Sequence, residues 1–181
     1  MIFTETKIKG AYIIDLERME DERGFFARSF CQEEFSAHGL QTDVAQSNIS
    51  FNRKKGTLRG MHLQVSPAAE AKLVRCTRGA VHDVIVDLRP EEPTYCEWIA
   101  VRMTEDDERA LYIPEGIAHG FQALRDGTEL FYQMFASYAP PWQRGVRWDD
   151  PTFGIEWPIP NPIMSERDRS YPPFDKNRGF S

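Results

Sequence analysis

Residues 110–121 read Ala110-Leu111-Tyr112-Ile113-Pro114-Glu115-Gly116-Ile117-Ala118-His119-Gly120-Phe121. An apolar run of strand length meets a Pro-x-Gly turn, and a histidine follows three residues after the glycine. Outward from this stretch the same grammar repeats. In Val81-His82-Asp83-Val84-Ile85-Val86-Asp87-Leu88, Val84, Val86 and Leu88 share one face and Asp83 and Asp87 the other. Strands are also expected over 72–77, 98–103, 110–113 and 129–135, separated by turns at Arg89–Pro93, Thr104–Asp107 and Asp126-Gly127. Helix signals are few. Gln32–His38 forms a short one that stops at Gly39, and Ser165-Glu166-Arg167-Asp168 has the form of a capping box. The tail from Tyr171 is polar and carries Pro172-Pro173, so it reads as an extended arm or a frayed end. With no repeat, low-complexity tract or linker, residues 1–181 read as one all-β domain.

Composition narrows the function classes. The chain is 41% hydrophobic and 28% charged, a globular and soluble balance. No segment is apolar for long enough to span a bilayer, and the first residues, MIFTETKIKG, do not read as a signal peptide. A net charge of −6 disfavours a nucleic-acid partner, yet a local arginine cluster can still hold a phosphate. Cys31, Cys76 and Cys96 are odd in number and form no CxxC pair, which suits thiols in a reducing cytoplasm.

Pro114-x-Gly116-x-x-His119 resembles the second motif of the cupin superfamily, small jelly-roll β-barrels or double-sheet sandwiches. In the first cupin motif an H-x-H pair and a glutamate join that histidine around a metal. Here the region reads Gly60-Met61-His62-Leu63-Gln64 and then Glu70, so a neutral amide stands in place of the second histidine. Transition metals prefer imidazole and carboxylate. A three-ligand site of His62, Glu70 and His119 is the metal-dependent alternative; with no metal, His62 is free to act as a base.

Longer motifs point to one family. Asp21-Glu22-Arg23-Gly24-Phe25-Phe26, Gly56-Thr57-Leu58-Arg59-Gly60-Met61-His62-Leu63-Gln64, Lys72-Leu73-Val74-Arg75-Cys76 and Tyr112–Phe121 all look like the dTDP-4-dehydrorhamnose 3,5-epimerase family. So do Arg147–Pro151, Gly154–Pro158 and Ser165–Asp168, and the resemblance runs from about Phe3 to Pro172. It implies a jelly-roll homodimer that acts on a nucleotide-linked 4-keto-6-deoxy sugar without metal or organic cofactor. By motif position His62 is the base and Asp168 orients it. Lys72 faces the keto oxygen, and Tyr132 is the proton donor. Arg59, His119, Arg167 and Tyr138 would meet the substrate, with Gln46 and Asn48 lining the pocket, while Arg23 and Phe26 would come from the neighbouring protomer. The family commonly has glutamates where this chain has Arg28 and Gln143.

The chemistry asks for these residue types. Protons on C3 and C5 are alpha to the C4 carbonyl, so losing one gives an enolate. Histidine is a base suited to neutral pH, and a carboxylate on its far nitrogen fixes the tautomer. A cation such as Lys72 can stabilise the oxyanion, at ~3 kcal/mol for one such donor. Inversion needs reprotonation on the other face, which a weak acid such as Tyr132 can supply. Lys72 shares strand parity with Val74 and Cys76, an inward-facing set. Arg59 and His62 fall on opposite faces of a regular strand, so a bulge at Gly60 is expected to bring them together. Beside this isomerase and the metal-dependent cupin, a third reading is a non-catalytic sugar-nucleotide binding protein.

Overall fold

Strand β8 (Ala80–Asp87) carries buried apolar residues on both faces because both are covered. Val81 and Ile85 point into the barrel, whereas Val84 and Val86 point outward beneath residues from the C-terminal third. Asp83 and Asp87 are fully buried and matched, Asp83 to His119 and Asp87 to Arg89 and Thr94. The structure, a computed structural model, describes residues 1–180.

Two antiparallel sheets enclose the interior. The six-stranded sheet runs β1 (Ile2–Glu5), β2 (Tyr12–Asp15), β10 (Ala110–Ile113), β7 (Lys72–Arg78), β12 (Thr128–Met134), β5 (Gln46–Asn52). The five-stranded sheet runs β13 (Gln143–Gly145), β6 (Leu58–Gln64), β11 (Ile117–Ala123), β8, β9 (Trp98–Thr104). A separate hairpin of β3 (Arg18–Asp21) and β4 (Gly24–Ala27) is exposed almost throughout. This is the cupin-like jelly-roll architecture expected. The five runs read as strands are strands, with ends moved by no more than one residue.

The main core lies between the sheets. Val74, Leu111, Ile113 and Leu130 of one wall meet Val81, Ile85, Met103 and Phe121 of the other. Helix α1 (Gln32–Ala37) seals the outer face of the larger sheet through Phe35, which packs with Leu73, Tyr112 and Phe135. The tail read as an arm folds back on its own barrel. The Phe174 N–H donates to Asp150 Oδ2 at 2.7 Å and the Tyr95 hydroxyl to the Lys176 carbonyl, while Phe174 and Phe180 pack on the cluster outside β8. Apolar burial of two phenylalanines outweighs the freedom of a short polar tail. Among the described residues no helix is long and apolar enough to cross a membrane.

Candidate active site

Strand β6 carries the irregularity that builds the site. Its pairing with β11 places His119 opposite His62 and Phe121 opposite Arg59, so β6 has one more residue than its partner in that interval. The surplus falls beside Gly60, which has φ +141°, and a Cβ there would lie 2.5 Å from Gly120 Cα. Only glycine fits such an approach. The bulge resets the alternation, and Arg59 and His62 both line one cavity of about 550 Å³.

A second strand-like contact delivers the carboxylate. The Leu58 N–H donates to the Ile163 carbonyl and the Ile163 N–H to the Gly56 carbonyl, tying the late chain to the entry of β6. Ser165 then caps helix α2 (Glu166–Arg169), its hydroxyl accepting from the Asp168 N–H at 3.1 Å. The Asp168 carboxylate turns away from this cap. Oδ1 lies 2.8 Å from His62 Nε2, and Oδ2 accepts from the Gly60 N–H at 3.4 Å. Burial by itself would raise the Asp168 carboxyl, but hydrogen bonds from His62 and Gly60 together with the His62 charge hold it below the usual carboxylate range. Tyr171 backs the His62 ring edge-on at 6.2 Å, in space left open by Gly145.

The opposite wall brings Lys72 and Tyr132. Lys72 is buried, donating to the His62 carbonyl at 3.2 Å and pairing with Glu70 Oε1 at 3.0 Å. Tyr132, on β12 of the six-stranded sheet, faces the cavity from the side opposite His62's sheet. Burial and the Asp83 carboxylate push its hydroxyl pKa up, so it is a neutral donor near pH 7. His119 is buried at the cavity floor, with its Nε2 2.9 Å from Asp83 Oδ1 and its ring edge toward Tyr132 at 6.0 Å. Arg59 Nε donates to Asn52 Oδ1 at 2.9 Å, and Gln46, Asn48, Tyr138 and Arg167 are among the other lining residues.

Arg23 and Phe26 lie elsewhere. Both sit on the exposed β3–β4 hairpin; Arg23 is bonded to Asp21, and Phe26 is 67% exposed. Sequence reasoning missed Asn52, which holds Arg59, Asp83, which holds His119, and Glu70's pairing with Lys72. Asp83 carried a signal, a carboxylate inside an apolar strand. Asn52 carried none, since its partner is set by the barrel, whereas Glu70 stands only two residues before Lys72.

The His62, Glu70 and His119 donor set does not fit a metal. Glu70 is paired with the Lys72 ammonium, and among the described residues no three His, Cys, Asp or Glu side chains gather as a metal would need. Gln64, at the position of the fourth ligand, has its carboxamide bonded to backbone.

The family model described as dTDP-4-dehydrorhamnose 3,5-epimerase matches residues 5–176. A relative of that name from Methanothermobacter thermautotrophicus is 42% identical over 178 residues, covering 97% of this chain and 95% of its own. A crystal structure of the Bacillus anthracis dTDP-4-dehydrorhamnose 3,5-epimerase, with TDP and PPi bound, superposes with a TM-score of 0.92 at 35% identity, over 96% of this chain and 99% of that one. A 3'-monoepimerase from Streptomyces bikiniensis, in complex with dTDP-quinovose, has a TM-score of 0.86 at 34% identity, over 93% and 85%.

Proposed function

The chain belongs to the dTDP-4-dehydrorhamnose 3,5-epimerase family, and from that membership we propose that it inverts C3, C5 or both of a dTDP-linked 4-keto-6-deoxy sugar. One observation carries the reading. A carboxylate-bound imidazole on the five-stranded sheet and a neutral tyrosine on the six-stranded sheet face one cavity from opposite walls, and a lysine of the tyrosine's sheet lines the same cavity. Inversion needs that arrangement, because the proton must leave one face of the sugar ring and return on the other.

In this mechanism His62 takes the proton alpha to the C4 carbonyl, and Asp168 stabilises the resulting imidazolium. Electron density moves onto the C4 oxygen, where the Lys72 ammonium stabilises the enolate. Tyr132 then gives its proton to the opposite face of the same carbon. His62 and Tyr132 recover their starting protonation from solvent, so each inversion places one solvent hydrogen on carbon. Arg59 and Arg167 hold the diphosphate through paired donors. At the hairpin Arg28 is no bare cation, since it donates to Glu34 Oε1 at 3.0 Å.

The same reading makes the protein a homodimer, with Arg23 and Phe26 completing a partner's site. Supporting this, Met19, Phe25 and Phe26 are all exposed on a hairpin that pairs with neither sheet. The three free thiols suit a cytoplasmic setting. Incubation with dTDP-4-keto-6-deoxyglucose in heavy water, read by NMR, tests the function. Label at C5 and C3 supports the double inversion, and label at C3 alone supports the narrower activity named for the Streptomyces relative. A protein that binds dTDP yet places no label on either carbon is a binder, which rejects the proposal.

A further inference from the structure

The sequence placed Gln64 where a metal ligand is expected, and the mechanism above gives it no task. Its side chain is buried, at 2% exposure, and every polar group it has is engaged. Oε1 accepts from the Ala139 N–H at 2.6 Å. Nε2 donates to the carbonyls of Ser137, at 3.2 Å, and Ala68, at 3.0 Å. The amide therefore grips the backbone on both sides of Tyr138, the residue between Ser137 and Ala139. Two further glutamines hold Tyr138 itself. Its N–H donates to Gln46 Oε1 at 3.2 Å, and its hydroxyl donates to Gln143 Oε1 at 2.9 Å. Tyr138 lines the cavity although it is 56% exposed.

We propose that Gln64 is a positioning residue, whose carboxamide holds the 137–139 backbone so that Tyr138 stays at the rim of the cavity. The inference rests on the epimerase reading for what the loop serves, but not for the clamp itself. Chemistry favours an amide here over the histidine or carboxylate of a metal site. The backbone offers one N–H and two carbonyls, and a carboxamide presents an acceptor and two donors to match. Glutamate would accept from Ala139 but would set an anion against two carbonyl oxygens. Methionine would fill the space and make none of the three bonds.

The test uses the whole chain with Gln64→Met, and with Gln64→Leu as the second variant should the first not fold. Amide hydrogen exchange across residues 136–142 reads the clamp without any substrate, Ala139 being the reporter. Its N–H is expected to exchange faster by at least about tenfold in either variant, since neither side chain can accept the buried hydrogen bond that Gln64 Oε1 accepts. Unchanged protection at Ala139 overturns the proposal, whatever the enzyme does. The second reading is kinetic, at temperatures well below each variant's unfolding. Gln64→Met is expected to lower kcat/KM about tenfold or more through misplacement of the rim. In a Tyr138→Ala background the same substitution should cost less than about twofold, because nothing remains to be positioned. A loss of equal size in both backgrounds means that Gln64 acts only through general stability, and contradicts the assignment. If the wild type shows no turnover, the epimerase reading fails while the exchange data still decide the clamp.

Discussion

Asp168 meets two demands with different atoms of one residue. Its backbone N–H closes the cap on Ser165, and its carboxylate leaves the cap to hold His62. The Ser-x-x-Asp spacing made the cap legible in the sequence, but the bond to a histidine 106 residues away is a product of the barrel. Asn52 and the pairing of Asp83 with His119 escaped notice for the same reason, as their partners lie on other strands. Because the Asp168 carboxyl is held below its ordinary 3.8, its deprotonated form stabilises the fold. That stability is complete above the ordinary value and is lost as pH falls through the lower native one. Urea unfolding across acid pH should therefore show the gap between wild type and Asp168→Asn narrowing below about pH 4. At neutral pH the same variant should lose kcat by roughly 10² or more, through a misoriented base. Lys72→Met should lower kcat by about 10²–10³ in steady-state assays, the cost of one oxyanion donor. Tyr132→Phe should slow inversion and still allow some solvent exchange by His62, which NMR of the recovered substrate will show.

At the scale of elements, β6 decides whether the site exists. Strict alternation sets Arg59 and His62 on opposite faces, and Gly60 was the one visible means of avoiding that. The register confirms the added residue, and the 2.5 Å approach to Gly120 Cα explains why the position has no side chain. Gly60→Ala is accordingly expected to destabilise the protein by about 1–3 kcal/mol, because the obstruction is backbone and cannot swing aside. It should also lose activity beyond what the stability change explains, since repairing the overlap displaces Arg59, His62 or Asp168. Circular-dichroism melts alongside kinetics below the transition separate the two effects. Strand β8 gives the complementary lesson. Its apolar run and its pair of aspartates were both visible in the sequence, yet only the covering segment from residues 146–180 shows that both faces are buried.

For the whole molecule, the two sheets provide the opposed walls that inversion requires, and the hairpin projects beyond them. The jelly roll was legible because alternation, turns and the Pro-x-Gly-x-x-His motif agree with one another. The fold-back of the tail was not, since two phenylalanines spaced by polar residues carry no periodic signal. Exposure of Met19, Phe25 and Phe26 leads to a further expectation. If the proposed homodimer forms through this hairpin, Phe26→Asp should shift sedimentation toward monomer and lower activity, with His62 and Asp168 untouched. The measurement that bears most directly on the central claim is deuterium wash-in from heavy water into dTDP-4-keto-6-deoxyglucose, comparing wild type with His62→Ala. The account predicts label at C3, C5 or both with the wild type and none with the variant. Label appearing at the wild-type rate with His62→Ala would contradict it.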